Sequence, residues 1–196
     1  MLNELDPRFT ALVLIDLQNW TLGMPIAPHP ASAVVGNASR LARSLKASGG
    51  TIIVTRADFS AGYADALRQP VDIPLPLPEG GLPHEAVALS QAFDIEPDAV
   101  ITKRQWSAFH GTELDLQLRR RGISTMILGG VMTNFGVEST ARDAWQHSYS
   151  VIIAEDASSS INADMHRFSI ERILPRVARV RATADILSSL AAPATA

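Results

Sequence analysis

The sequence predicts an α/β protein: an open, six-stranded, mainly parallel sheet between two layers of helices. Three observations carry this. Short apolar, β-branched runs alternate with amphipathic segments along the chain. The strand runs lack in/out polar alternation, as expected for strands covered on both faces. Strand–helix alternation with right-handed crossovers then gives a doubly wound, three-layer sandwich of the Rossmann type.

The elements follow in order. Ala11–Ile15 reads as a first, fully covered strand. Ala31–Ser48 has helical spacing and stops at Gly49-Gly50. Thr51–Thr55 is a β-branched second strand, and Ala99–Thr102 a short third. Thr112–Arg121 reads as a helix with Thr112 as N-cap, an acidic first turn, a basic last turn and Gly122 just past its end. Thr125–Gly130 is the fourth strand, with Asn134–His147 as the following helix and Thr133 or Asn134 as its cap. Tyr149–Ala154 is the fifth strand, Ala163–Ile173 a helix, Ala178–Val180 the sixth strand and Ala182–Leu190 the last helix. The tail, residues 191–196, is expected to fray. Phe59–Pro97 stands apart: Pro70, Pro74, Pro76, Pro78 and Pro83 disfavour long regular elements. A connection of this length is read as a lid or interface arm, or as a passive surface excursion.

The 196 residues fit one domain without an internal repeat or linker. A net charge of −3 favours neither nucleic acid nor an anionic membrane as partner. There is no 18-residue apolar run, and the acidic start MLNELDPRFT does not read as a signal peptide, so a cytoplasmic protein is expected. With no Cys, disulfides, thiolate metal sites and Cys nucleophiles are absent together. The five His show no metal-ligand spacing, so neither a metal nor another cofactor is expected.

In a doubly wound sheet the ligand site lies at the carboxyl ends of the strands. Three positions point there. Asp16 closes the first apolar strand, where a carboxylate is costly unless paired; the alternative is that it caps the next turn. Lys103 closes the third strand on the same edge, so the two can pair. The chain has fifteen Arg and two Lys, Lys46 and Lys103. A Lys kept in such a chain suits a task for a compact, tunable cation, although chance suffices for Lys46. Gly136 follows the fourth strand, where backbone N–H groups at a helix start can hold an anion. The alternative there is a glycine needed only for tight packing. Gln18 could orient Asp16 or a ligand. Arg56, Arg104 and Arg142 could hold a substrate carboxylate, or serve as surface or structural arginines; Trp106 and Phe109 could wall an apolar pocket, or pack under the Pro-rich arm. Ser139 has no neighbouring base and Asp58 no His partners, so neither is favoured as nucleophile or ligand.

Four blocks in order, Leu14-Ile15-Asp16-Leu17-Gln18, Lys103-x-x-x-Ser107-Ala108-Phe109-x-Gly111-Thr112-x-Leu114, Gly130-Val131-x-Thr133-Asn134 and Thr140-Ala141-Arg142-Asp143-Ala144, resemble the isochorismatase-like (cysteine hydrolase) superfamily. The resemblance runs from about Phe9 to Leu190. It implies an active site joining an Asp and a Lys, here Asp16 and Lys103, with a usual Cys whose place is taken by Gly136. It also implies a cis peptide before Met132 that aims the Met132 N–H into the site. Amidases of the family use the thiolate, a route that Gly136 closes. Isochorismatases proper also lack it and hydrolyse a vinyl ether, the Asp protonating carbon and water capturing the cation. Such acid work needs a protonated carboxyl, which burial favours and a nearby ammonium opposes. The Thr-Asn-x-Gly-Val-Glu-Ser-Thr-Ala-Arg stretch looks like a bacterial branch of unassigned substrate. The expectation is a hydrolase of a small, carboxylated molecule, or else a catalytically silent binding member. The resemblance also implies a homodimer or homotetramer.

Overall fold

In the computed structural model, residues 5–74 and 77–190 are described; the expected fraying of 191–196 lies outside them. After a 3₁₀ turn at Pro7–Phe9, strand β1 (Thr10–Ile15) enters the core. A one-turn helix α1 (Asn19–Leu22) and the long helix α2 (Ala31–Ala47) lead to β2 (Thr51–Ala57). The Pro-rich arm holds a 3₁₀ turn (Ala61–Tyr63) and a single-turn helix α3 (His84–Val87) before β3 (Ala99–Lys103). Helix α4 (Leu114–Arg120) and β4 (Thr125–Val131) follow. A π turn (Thr133–Val137) then opens helix α5 (Glu138–Gln146). Strand β5 (Ser150–Ser159), helix α6 (Ala163–Phe168) with a second π turn (Ser169–Ile173), β6 (Arg179–Arg181) and helix α7 (Thr183–Ser189) complete the chain.

All six strands are parallel, in the order β3-β2-β1-β4-β5-β6. β1 is central and its residues alternate between two cores. Leu12 and Leu14 pack with Val34, Leu41 and Leu45 of α2 and Ile186 of α7. Ala11, Val13 and Ile15 pack with Leu114 and Leu118 of α4 and Ala141 and Ala144 of α5. Both faces of the sheet are therefore covered, and β1 is apolar from Ala11 to Ile15. The chain order reverses direction across β1, between β2 and β4, so the crevice at the carboxyl ends of β1 and its neighbours is the expected ligand position.

Two differences from the expected elements have local causes. β5 runs past Ala154 because it bulges and resumes: Leu128 of β4 pairs with Ile153, but Gly130 pairs with Ser158. Gly129 permits this, since a Cβ there would lie 3.0 Å from the Ala157 carbonyl oxygen. The second half of the arm is also no free excursion. It is stitched to the chain after β1 through Ser90 N–H to Leu17 O (2.9 Å), Asn19 N–H to Ala88 O (3.0 Å) and Asn19 Nδ2 to Glu85 O (2.8 Å). Its first half stays at the surface, with Leu67, Val71 and Ile73 exposed.

Candidate active site

Asp16 is the first residue beyond β1 and takes a left-handed backbone conformation, φ +50°. Asp tolerates this region better than most residues. The turn is held by its own carbonyl, which accepts from Gln18 N–H (2.8 Å) and from the Thr21 hydroxyl (2.5 Å). The carboxylate then points along the strand ends. Its Oδ2 lies 2.6 Å from Lys103 Nζ, and its Oδ1 accepts from the Thr55 hydroxyl at 2.7 Å. Lys103 donates a second bond to the Gln105 carbonyl (3.1 Å). Register explains the meeting: Lys103 ends β3 opposite Ala57, and Thr55 lies on the intervening strand β2. The ion pair is nearly sealed, with Asp16 6% and Lys103 3% exposed.

The turn after β4 closes the other side. It is a π turn, with Val137 N–H bonded to Met132 O and Glu138 N–H to Thr133 O; such widened turns recur at functional sites. A Cβ built on Gly136 would lie 3.7 Å from Asp16 Oδ2, 3.5 Å from the Trp106 carbonyl oxygen and 2.8 Å from Ile15 Cγ2. Gly136 therefore leaves empty the side-chain position next to the carboxylate. Thr140 locks it there, its hydroxyl donating to Gly136 O (2.7 Å) and accepting from Ala108 N–H (3.0 Å). The Val131–Met132 peptide is cis, and Met132 is buried in the core beneath the turn.

Asp16, Lys103 and Gly136 thus converge, with Trp106 beside them. The Trp106 ring is exposed and sits against Phe135, centroids 4.8 Å apart. The other expected residues have partners of their own. Gln18 is fully buried and spends its amide on backbone: it donates to Ala57 O (2.9 Å) and Val87 O (2.7 Å) and accepts from Ala57 N–H (2.8 Å). It fastens the arm rather than facing a ligand. Phe109 belongs to the core under α4 and α5, stacked on His147 and packed near Tyr149. Arg56 donates to Thr102 Oγ1 (3.0 Å), Arg104 pairs with Asp65 of the arm (2.9 Å) and Arg142 with Glu138 (2.9 Å). Neither Thr133 nor Asn134 caps the helix, because their side chains bond His166 and Ser160 instead.

Sequence reading missed Thr55 and Thr140. Both are fully buried hydroxyls. The signal available for Thr55 was its place at the end of a strand adjacent to the one bearing Asp16.

Residues 10–185 match the isochorismatase domain model. The chain belongs to the isochorismatase family. Family relatives align over most of its length. It is 50% identical to the uncharacterized isochorismatase family protein YecD of Escherichia coli O157:H7, covering 95% of this chain and 99% of that protein. An isochorismatase family protein from Burkholderia thailandensis superposes with a TM-score of 0.91 at 38% identity, over 97% of this chain and 99% of that one. A ureidoacrylate amidohydrolase, RutB of Variovorax paradoxus, is 27% identical over 95% of this chain and 83% of its own length. The family is one of isochorismatase-like hydrolases, and its sheet and helical layers are those described above.

Proposed function

We propose that this chain is a family member in which Gly136 stands where a cysteine nucleophile otherwise sits, and that it hydrolyses a small, carboxylated, vinyl-ether-type substrate without a covalent intermediate. One observation carries the reading: the buried Asp16–Lys103 pair at 2.6 Å, with Gly136 placing no side chain beside its carboxylate. The chain has no thiol to attack with. It has an acid–base pair held in a dry place, where proton transfer is efficient.

Proton movement between Nζ and Oδ2 converts the ion pair into a neutral amine beside a carboxylic acid. Asp16 then delivers the proton to the terminal alkene carbon, leaving an oxocarbenium ion. Water adds to that cation, and its surplus proton returns to the pair. The hemiketal so formed breaks its C–O bond, releasing a ketone and an alcohol. Thr55 keeps the carboxyl oriented through Oδ1, so that Oδ2 alone faces Lys103 and the substrate. Backbone at Gly136 lets the substrate come closer than any side chain there would allow.

A second reading rests on burial. A pair exposed this little also serves as a structural tie between β1 and β3 in a silent binding protein. One assay separates the two. The purified protein is offered isochorismate, other vinyl ethers, amides and ureido compounds, and products are read by mass. The expected result is water addition to a vinyl ether, lost in Asp16→Asn. Amide or ureido hydrolysis, or a covalent adduct trapped on any side chain during turnover, would overturn the mechanism. Binding without turnover of any compound would favour the silent protein.

A further inference from the structure

Three residues far apart in sequence meet beside the turn that bears Gly136. His29 precedes α2, Glu155 sits in the bulge of β5, and His166 lies on α6. His29 Nε2 is 2.7 Å and His166 Nε2 3.2 Å from the same oxygen, Glu155 Oε1. The ligand atoms of all three lie within 4.8 Å of one another. We propose that His29, Glu155 and His166 form a binding site for a first-row transition-metal dication of the Zn²⁺ type, separate from the Asp16–Lys103 pair.

The donor set decides the class. Two imidazole nitrogens and one carboxylate oxygen suit Zn²⁺, Co²⁺ or Ni²⁺, whereas Mg²⁺ and Ca²⁺ prefer oxygen alone. The second layer is already in place. His166 Nδ1 lies 2.8 Å from the buried Thr133 hydroxyl, which fixes the ring with Nε2 toward Glu155. A threonine hydroxyl both donates and accepts. It can donate to Nδ1 while Nε2 carries the proton, and accept from Nδ1 once Nε2 binds a metal. The same orientation of the ring thus serves both protonation patterns.

Charge and access agree. Glu155 supplies the one carboxylate of the cluster, an anionic ligand for a dication. The neighbouring Asp156 is used elsewhere, accepting from the Thr183 N–H and hydroxyl. His166 is sealed, 3% exposed, but His29 and Glu155 are 27% and 31% exposed at their side chains. An ion can enter from that side and complete its coordination with water. The His29 loop is pinned for this by paired bonds between Ala27 and Ser160, 2.8 and 3.0 Å. A bound ion would tie this loop, the β5 bulge and α6 to Thr133.

The test uses the full-length chain without a histidine tag, stripped with chelator. Co²⁺ is titrated in and followed by its visible absorption, then displaced by Zn²⁺ in a calorimeter. The expected result is one equivalent bound with the intense bands of low coordination number, unaffected by excess Mg²⁺. His29→Ala and Glu155→Gln should each weaken binding by at least about tenfold, and Thr133→Val, which removes no ligand, by about 10-fold or more. His29 lies in a surface loop, so that variant also guards against loss of fold. Failure of the parent protein to bind one equivalent would overturn the proposal, as would unchanged binding in His29→Ala and Glu155→Gln.

Discussion

Lys103 and Arg104 are neighbours in the chain, and each makes an ion pair with an aspartate, yet the two pairs are physically different objects. Lys103 meets Asp16 at 2.6 Å with side chains 3% and 9% exposed. Arg104 meets Asp65 at 2.9 Å with side chains 39% and 34% exposed. The first pair is shut away from water. Removing one partner strands a charge, a loss much larger than the pair's own net worth. The second is solvated on both sides and gains little from its Coulomb attraction. Position at a strand end, one residue apart, separates a cation committed to the site from one that tacks the arm to the surface.

The contrast is broken or sharpened by a graded set of variants. Lys103→Ala is expected to cost about 3–5 kcal/mol, read from denaturant melts. Replacing both members, Asp16→Asn, which still suits the left-handed backbone position and the Thr55 hydroxyl, with Lys103→Met, should recover most of that loss while abolishing turnover. If the double variant is as unstable as the single one, the charge is not what was stranded. Lys103→Arg keeps the charge but adds bulk in a sealed position, with an expected cost of about 1–3 kcal/mol and loss of activity. Arg104→Ala should cost no more than about 1 kcal/mol, and should show itself instead as faster proteolysis within 59–74.

The smallest effect concerns pH at the exposed pair. The Ser60 N–H, helped by Arg104, holds the Asp65 carboxyl down to about 2, against an ordinary 3.8. Because the folded value is depressed, the tether is fully present above about pH 3.8 and is lost as pH falls from there to about 2. A carboxyl-carbon NMR titration checks this; a midpoint near 3.8 would mean that the arm is not anchored at Asp65.

Asp16 and Lys103 were legible because a charge ending an apolar strand is costly enough to demand an explanation, and strand order puts such ends on one edge. Gly136 was legible through the blocks around it. For Gln18 and Phe109 sequence gives proximity to a motif but not the direction of a side chain: one amide is consumed by backbone, one ring by the core. The expected cap at Thr133 or Asn134 failed because His166 and Ser160 engage those side chains. The His29–Glu155–His166 cluster left no local trace. Its first two members are 126 residues apart, and Glu155 is brought to them by a bulge that strand periodicity does not announce. The arm's prolines correctly signalled irregular chain, but not the backbone stitching that fixes its second half.

The 2.8 Å between Ile15 Cγ2 and the place of a Cβ on Gly136 also bears on descent. Any lineage carrying this pair cannot simply mutate its way to a thiol at position 136, since the fully buried Ile15 stands in the path. A side chain added at 136 meets Ile15 before anything else, so a substitution there needs Ile15 or the end of β1 to shift. Sequences with cysteine at 136 should therefore carry a slimmer neighbour at 15 or a displaced strand end.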